Sequence, residues 1–333
     1  MSTTIQPDRI LRELSELWVT FGKQDGDQST GVLRACAMTL VVVADAKENA
    51  AEVGETLASL MRDHPSRAIV VRVLDDAKPE LEARVFAQCW MPLGQRRQIC
   101  CEQIEISSSN ISLADVPAVV LPLIVADLPV IVWSKIPRLF ATPALEALSR
   151  LATKTIIDSA AFPDAGSALR RLSQVASSGL VLGDLAWTRL TRWRELIAQI
   201  FENPDYSSHL PAITSVTICH PGENAPATVR YIAAWLVLCL ERAGSRPAVR
   251  WKPEDCAGLG RIEFTTADPS LLNASVRKLE GSIAEVRVNS LISRTVFPEA
   301  SDYDLLREEL SISGRDAVFE AALARAAESV EER

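Results

Sequence analysis

The chain has 333 residues, 48% of them hydrophobic and 23% charged. That composition supplies a sizeable core and excludes global disorder. At roughly 150 residues per domain the length suits two domains, and with 35 Lys plus Arg against 43 Asp plus Glu the net charge is −8, which repels a phosphate backbone and argues against a nucleic-acid partner.

Met1 to Arg9 has no apolar core and meets an acid at Asp8, so it reads as neither a secretory signal nor a transit peptide. The longest apolar stretches, Pro117 to Ala126 and Tyr231 to Leu240, reach about half of the ~20 residues a membrane-spanning helix needs. They read as buried core, and no membrane is expected as a partner. Seven cysteines, several inside apolar runs, suit reduced thiols packed as small hydrophobes, so the expected compartment is the cytoplasm.

Taken in chain order, Pro7 to Val19 reads as a helix with Ile10, Leu14 and Leu17 on one face. A polar linker, Gly22 to Gly31, leads to the apolar run Met38 to Val43, a strand buried on both faces. Helix Lys47 to Met61 and strand Ala68 to Leu74 complete a βαβ unit with parallel pairing. Leu81 to Met91 and Arg96 to Ser107 read as an antiparallel hairpin, which makes the sheet mixed. If the hairpin pivots near Gly94, Cys89 faces Gln98 and Cys100 lies diagonal to it, a geometry in which a disulfide is conceivable although a reduced cytosol favours plain packing.

Pro117 and Pro122 limit Leu113 to Val125 to a short or kinked helix. Pro129 to Trp133 and Thr155 to Asp158 read as strands, with a short helix, Pro143 to Leu151, between them. Pro163 and Gly166 mark a boundary, giving an N-terminal α/β domain over residues 1–160 and a C-terminal α/β domain with a helical tail over 161–333.

The second half opens with helix Ser167 to Ser177. Asp184 to Glu202 follows as one regular helix whose Ala186, Leu190, Trp193, Ile197 and Ile200 form a core stripe. Strand Ile213 to Cys219, the apolar helix Thr228 to Leu240, and short β-type runs at Ala248 to Trp251, Arg261 to Thr265, Ile283 to Val288 and Leu291 to Val296 suggest a second α/β unit with an antiparallel extension. Asp302 to Leu310 and Arg315 to Val330 close the chain as helices. The expected fold class is α/β: two domains with mixed, largely buried sheets flanked by helices.

Catalytic signatures are missing. No GxGxxG follows a strand, and Gly26 to Gly31 has P-loop spacing with Val32 where the lysine belongs. There is no CxxC, no HxxxH among His64, His209 and His220, and no GxSxG. No NAD, ATP, metal or other cofactor is expected, and binding is favoured over catalysis.

Three segments hold more than a core needs. His64-Pro65-Ser66-Arg67 lies between a helix and a buried strand, where it is either a plain turn or a ligand- or partner-facing loop. Asp127 to Trp133 joins a proline-broken segment to a strand, and Trp133 either packs in the core or marks a contact. Leu182 to Glu195 places Asp184 as an N-cap, Trp187 off the core stripe, and Arg189, Arg192 and Arg194 close together, the residue types that interface hot spots use. The alternative is a solvated helix face.

In this order the three segments resemble the glucose-6-phosphate dehydrogenase assembly protein family (OpcA), from about Arg34 to Val296 and most densely over Gly183 to Glu195. The resemblance implies a protein that is not itself a catalyst: one that binds glucose-6-phosphate dehydrogenase, promotes its active oligomer and raises its response to substrate in the oxidative pentose phosphate pathway. It implies partner contacts at Asp184, Trp187, Arg189, Arg192, Arg194, His64, Ser66, Arg67, Asp127 and Trp133, with sugar phosphate touched only within the complex. Ser134 departs from the family, which usually has a second Trp there, and the cysteines of photosynthetic relatives find no match here. The rival readings are a sugar-phosphate sensor and a sugar-phosphate enzyme of the same pathway.

Overall fold

The computed structural model describes residues 6–24, 32–75, 81–93, 97–140, 142–312 and 314–328. They gather into two compact units. One comprises residues through Asp158 with Leu180–Gly183 and Asp302–Ser311; the other comprises Ser159–Gly179, Asp184–Ser301 and the chain from Ile312. Each unit is built on a mixed sheet flanked by helices, the expected fold class.

The first sheet contains β1 (Leu33–Arg34), β2 (Met38–Asp45), β3 (Ser66–Leu74), β4 (Leu81–Trp90), β5 (Ile99–Ser109), β6 (Val130–Ser134), β7 (Lys154–Ile157) and β8 (Leu182–Asp184). Their order is β1-β5-β3-β2-β6-β7-β8, with β4 paired to β5. Val41, Val42 and Val43 are wholly buried, as a strand covered on both faces requires. Helix Ala50–Asp63 begins at the Asn49 cap and buries Val53, Leu57, Leu60 and Met61. It carries the chain from β2 to a parallel β3. Pairing along β5-β3-β2-β6-β7 is parallel throughout. In chain order these strands run third, second, first, fourth, fifth, so the order reverses between β2 and β6. In open α/β sheets such a reversal leaves a ligand crevice at the carboxyl ends of the strands.

The β4–β5 hairpin is antiparallel, but its register differs from the expectation. Cys89 stands opposite Cys100 rather than Gln98, and the two are joined by a disulfide with Cα atoms 4.1 Å apart. The pairing is centred between positions 94 and 95, one residue beyond the centre that Cys89 opposite Gln98 requires; Gly94 itself lies outside the described residues, as do Gly26 to Gly31 and Val330. The first helix runs on to Gln24 rather than stopping at Val19. Pro117 and Pro122 divide their segment into one short helix, Val116–Val120, between two tighter turns.

The second sheet contains β9 (Ile213–His220), β10 (Ala248–Pro253), β11 (Arg261–Thr266), β12 (Asn273–Leu279), β13 (Ile283–Val288) and β14 (Leu291–Val296), in the order β10-β9-β11-β12-β13-β14. Only β9 and β10 pair in parallel, across helix Ala227–Arg242. The rest is an antiparallel meander. Val216, Ile218, Ile262, Phe264, Ala274 and Val276 are fully buried on the inward face, where Phe264 meets Phe201 of helix Thr191–Glu202 edge to face.

Candidate functional site

The carboxyl ends of β2, β3, β5 and β6 form the crest where a nucleotide would lie in a sheet of this topology. The turn after β2 is Asp45-Ala46-Lys47-Glu48-Asn49, with no glycine to let a pyrophosphate approach the backbone. Its polar groups are engaged by the chain itself. Asp45 accepts from the Lys47 amide at 3.0 Å and pairs with Arg138 at 3.0 Å. The Arg72 guanidinium donates to the Glu48 carbonyl at 3.2 Å and faces Glu105 at 3.5 Å. Lys135 bridges Glu48 at 3.1 Å and Asp302 at 2.9 Å, with its ammonium 4.9 Å from the centre of the Trp133 ring. Asp75 and Asn110 complete the ring through Lys47 and Arg138.

The electrostatics match this closure. The Lys47 amide, helped by Arg138, holds the Asp45 carboxyl below its ordinary pKa despite partial burial. Burial disfavours the Lys135 ammonium, and the Asp302 and Glu48 carboxylates outweigh it, so its pKa is raised. Among the described residues no group of three or more His, Cys, Asp or Glu side chains could hold a metal ion.

The first predicted segment lies at the other end of these strands. His64 is half-buried and caps helix Ala50–Asp63, donating its amide to the Leu60 carbonyl. Ser66 and Arg67, expected on a partner-facing loop, are 1% and 7% exposed. Arg67 belongs to a buried knot: its Nε donates to Glu102 at 2.6 Å and its NH1 to the Leu123 carbonyl at 2.8 Å. Glu102 also accepts from the Trp18 indole at 2.6 Å and pairs with Arg34 at 2.7 Å. A carboxylate that collects three donors ties β5 to β3, β1 and the first helix. Asp127 is exposed and takes a positive φ of 63°. Trp133 is 1% exposed and Ser134 is buried beside it, so the core reading of Trp133 holds.

The Leu182 to Glu195 string departs most from expectation. It is a strand end followed by two helices, Leu185–Thr188 and Thr191–Glu202, and not one continuous helix. Asp184 is the N-cap, as expected, but it is 1% exposed and accepts from the Ala186 and Ser159 amides, both at 2.9 Å, and from the Tyr231 hydroxyl at 2.7 Å. Breaking the helix after Thr188 turns Trp187 inward. It is 2% exposed, packs against Tyr231 and Phe319 with ring centres about 6 Å apart, and donates to Asp316 at 3.3 Å. The Arg194 guanidinium carbon lies over it, 3.7 Å from the ring centre, a cation–π contact. Trp193 is buried against Phe297, as expected. Arg192 is exposed, and Arg189 and Arg194 are half-buried.

Gly183 has its own reason. A Cβ there would collide with the Glu309 carboxylate, which is buried in a 2.6 Å ion pair with Lys154. Sequence reading did not single out Lys154, Glu309, Glu102, Tyr231 or Asp316. The available signal was a charged residue within a strand that otherwise reads as buried, clearest at Glu102, which follows Ile99-Cys100-Cys101.

Residues 57–174 match the family profile described as the glucose-6-phosphate dehydrogenase subunit N-terminal domain, and residues 181–323 match the corresponding C-terminal domain, both named for OpcA. The chain is 29% identical over 233 residues to a putative OxPP cycle protein OpcA from Nostoc punctiforme, covering 68% of this chain and 46% of that one. It is 26% identical over 255 residues to the protein of that name from Synechococcus elongatus, covering 72% and 54%. The chain spans about half the length of the curated relatives it matches. A solved 3-ketoreductase from Actinomadura kijaniata aligns at 12% identity with a TM-score of 0.49, over 88% of this chain and 96% of that one, a likeness too loose to inform chemistry. No helix among the described residues is long and apolar enough to cross a membrane. With both profiles matched in order and together covering most of its length, the chain belongs to the glucose-6-phosphate dehydrogenase assembly protein (OpcA) family.

Proposed function

We propose that this chain is a non-catalytic assembly factor of the cytoplasm, which binds glucose-6-phosphate dehydrogenase, promotes its active oligomer and so acts in the oxidative pentose phosphate pathway. Membership in the OpcA family supplies the partner. The observation that carries the non-catalytic part is the closed crest: where a sheet of this order would cradle a dinucleotide, Lys135, Arg138 and Arg72 are engaged by Glu48, Asp302, Asp45 and Glu105. A dinucleotide would have to break these pairs without a glycine-rich turn to receive its phosphates.

Of the ten residues with expected partner roles, Arg192 and Asp127 are exposed, and His64, Arg189 and Arg194 are half-buried; these five can still touch a partner directly. Asp184, Trp187, Ser66, Arg67 and Trp133 are buried and would act by holding the surface in shape. The test is to assay the purified chain and the dehydrogenase of the same cell, separately and together. The chain alone should give no NADP reduction, and the mixture should exceed the dehydrogenase alone. Turnover of a sugar phosphate by the chain alone would favour an enzyme. A rise in its melting temperature with sugar phosphate, with no effect on the dehydrogenase, would favour a sensor.

A further inference from the structure

The outward face of the second sheet is strongly basic on an acidic chain. Residues directly opposite one another in a sheet share a face, so the registers define rows that cross all six strands. One row runs Lys252, Cys219, Arg261, Arg277, Glu285, Arg294. The next runs Arg250, Thr217, Glu263, Ser275, Arg287, Ile292. Two adjacent rows thus hold six cations and two carboxylates, in a protein whose net charge is −8.

The cations are placed at some cost. Arg261 stands opposite Arg277, a like-charge pairing that disfavours the sheet. Glu263 and, from beyond the two rows, Glu254 answer Arg261 at 3.2 and 3.5 Å, and Glu285 answers both Arg294 at 2.9 Å and Arg287 at 3.5 Å. Among the described residues no ion pair engages Arg250, Lys252 or Arg277. Arg287 and Arg294 are 51% and 64% exposed. At the margin, β14 is exposed along its whole length and, among the described residues, has no strand beyond it; Ile292 and Val296, which share the outward face with Arg294, are 53% and 71% exposed.

We infer that this face is a docking surface for a protein that presents a carboxylate-rich patch beside aliphatic side chains. Six strands spaced about 4.8 Å apart give it a width of roughly 24 Å, suitable for one side of a specific interface. Arginines next to exposed aliphatics are what such interfaces use. A nucleic acid fits less well: neither row carries an aromatic side chain on which a base could stack, and Glu263 and Glu285 interrupt any track for phosphates. A second copy of this chain fits less well too, because a two-fold contact through this face would set its cations against themselves. The inference rests on the assembly reading and identifies the dehydrogenase as the occupant.

The test compares the full chain with Arg277→Gln/Arg287→Gln, Arg277→Glu/Arg287→Glu and, as a charge-matched control elsewhere, Arg62→Glu/Arg171→Glu. Binding to the purified dehydrogenase is measured at two salt concentrations, with melting temperature recorded for every variant. The glutamine pair should bind about tenfold more weakly and the glutamate pair more weakly still, with flatter salt dependence, while the control binds like the native chain. If both sheet-face variants melt normally and bind as well as the native chain, the docking inference is overturned and the assembly reading stands. If the native chain itself does not bind, the assembly reading falls and this occupant falls with it. A concentration-dependent dimer of the native chain that the glutamate pair abolishes would replace the occupant with a second copy.

Discussion

The crest of the first sheet and the outward face of the second sheet are both rich in cations and use them in opposite ways. At the crest each cation meets a carboxylate of its own chain: Lys135 meets two, Arg138 meets Asp45, and Arg72 meets Glu105. On the second sheet the cations outnumber the carboxylates three to one across two rows: Arg261, Arg287 and Arg294 share Glu254, Glu263 and Glu285, Arg277 faces Arg261, and among the described residues no ion pair engages Arg250, Lys252 or Arg277. Arg194, laid over Trp187, belongs with the crest, because its charge serves the fold. A cation that neutralises its own chain has little left for a ligand, whereas one held out on a flat sheet keeps its charge for an approaching surface. Residue type alone therefore says little about function; the register and the tertiary partners decide.

This contrast can be broken at several points. The largest effects belong to groups committed inward. Trp187→Ala should lower stability by about 3 to 5 kcal/mol, as deletion of a buried aromatic does; a melting temperature within a degree or two of native would place Trp187 outside the core. Lys154→Met alone should cost about 3 kcal/mol by stranding Glu309, and Lys154→Met/Glu309→Leu should recover most of it. Equal losses in the single and double variants, read by denaturant unfolding, would show that the pair is not what the site requires.

At the crest the effects are smaller and depend on pH in a definite direction. The folded pKa of Asp45 is depressed, so its contribution is present above the ordinary carboxylate value and is lost as pH falls through the depressed one. Lys135 has a raised pKa, so its contribution is present below the ordinary lysine value and is lost only as pH rises through the raised one. Asp45→Asn should thus cost about 1 kcal/mol by a constant margin between about pH 5 and pH 9, with the margin closing in acid. A margin that changes across neutrality would point to a different titrating group. The smallest effect is expected on the second sheet, where Arg277→Gln/Arg287→Gln should change stability by less than about 0.5 kcal/mol; a larger loss would mean these arginines hold the fold.

How much of this was legible in the sequence follows from where the decisive partners lie. The βαβ unit was plain because Leu40 to Ala44 is an unbroken apolar run and helix Ala50–Asp63 repeats at 3.6 residues within a few turns. β12 was missed because only Ala274 and Val276 are buried in it, among Asn, Ser, Arg and Lys. The break after Thr188 was invisible because Ala186 and Leu190 still fall on the stripe that Trp193 and Ile197 continue. Trp187 read as an outward residue because Tyr231, Asp316 and Phe319, which enclose it, lie far along the chain. The basic face was hidden more thoroughly. Its six cations come from five strands, each showing at most two, and only hydrogen-bonded register aligns them. Arg67 and Arg192 look alike in sequence, and only the fold separates the knot around Glu102 from open solvent.

The most direct test of the central claim is a titration of the purified dehydrogenase with this chain, following NADP reduction and sedimentation together. The account predicts that the chain alone gives no NADP reduction, that increasing amounts raise the dehydrogenase rate to a plateau, and that the sedimenting species grows over the same range. A dehydrogenase whose rate and sedimentation are unchanged at saturating chain, or NADP reduction by the chain alone, would contradict it.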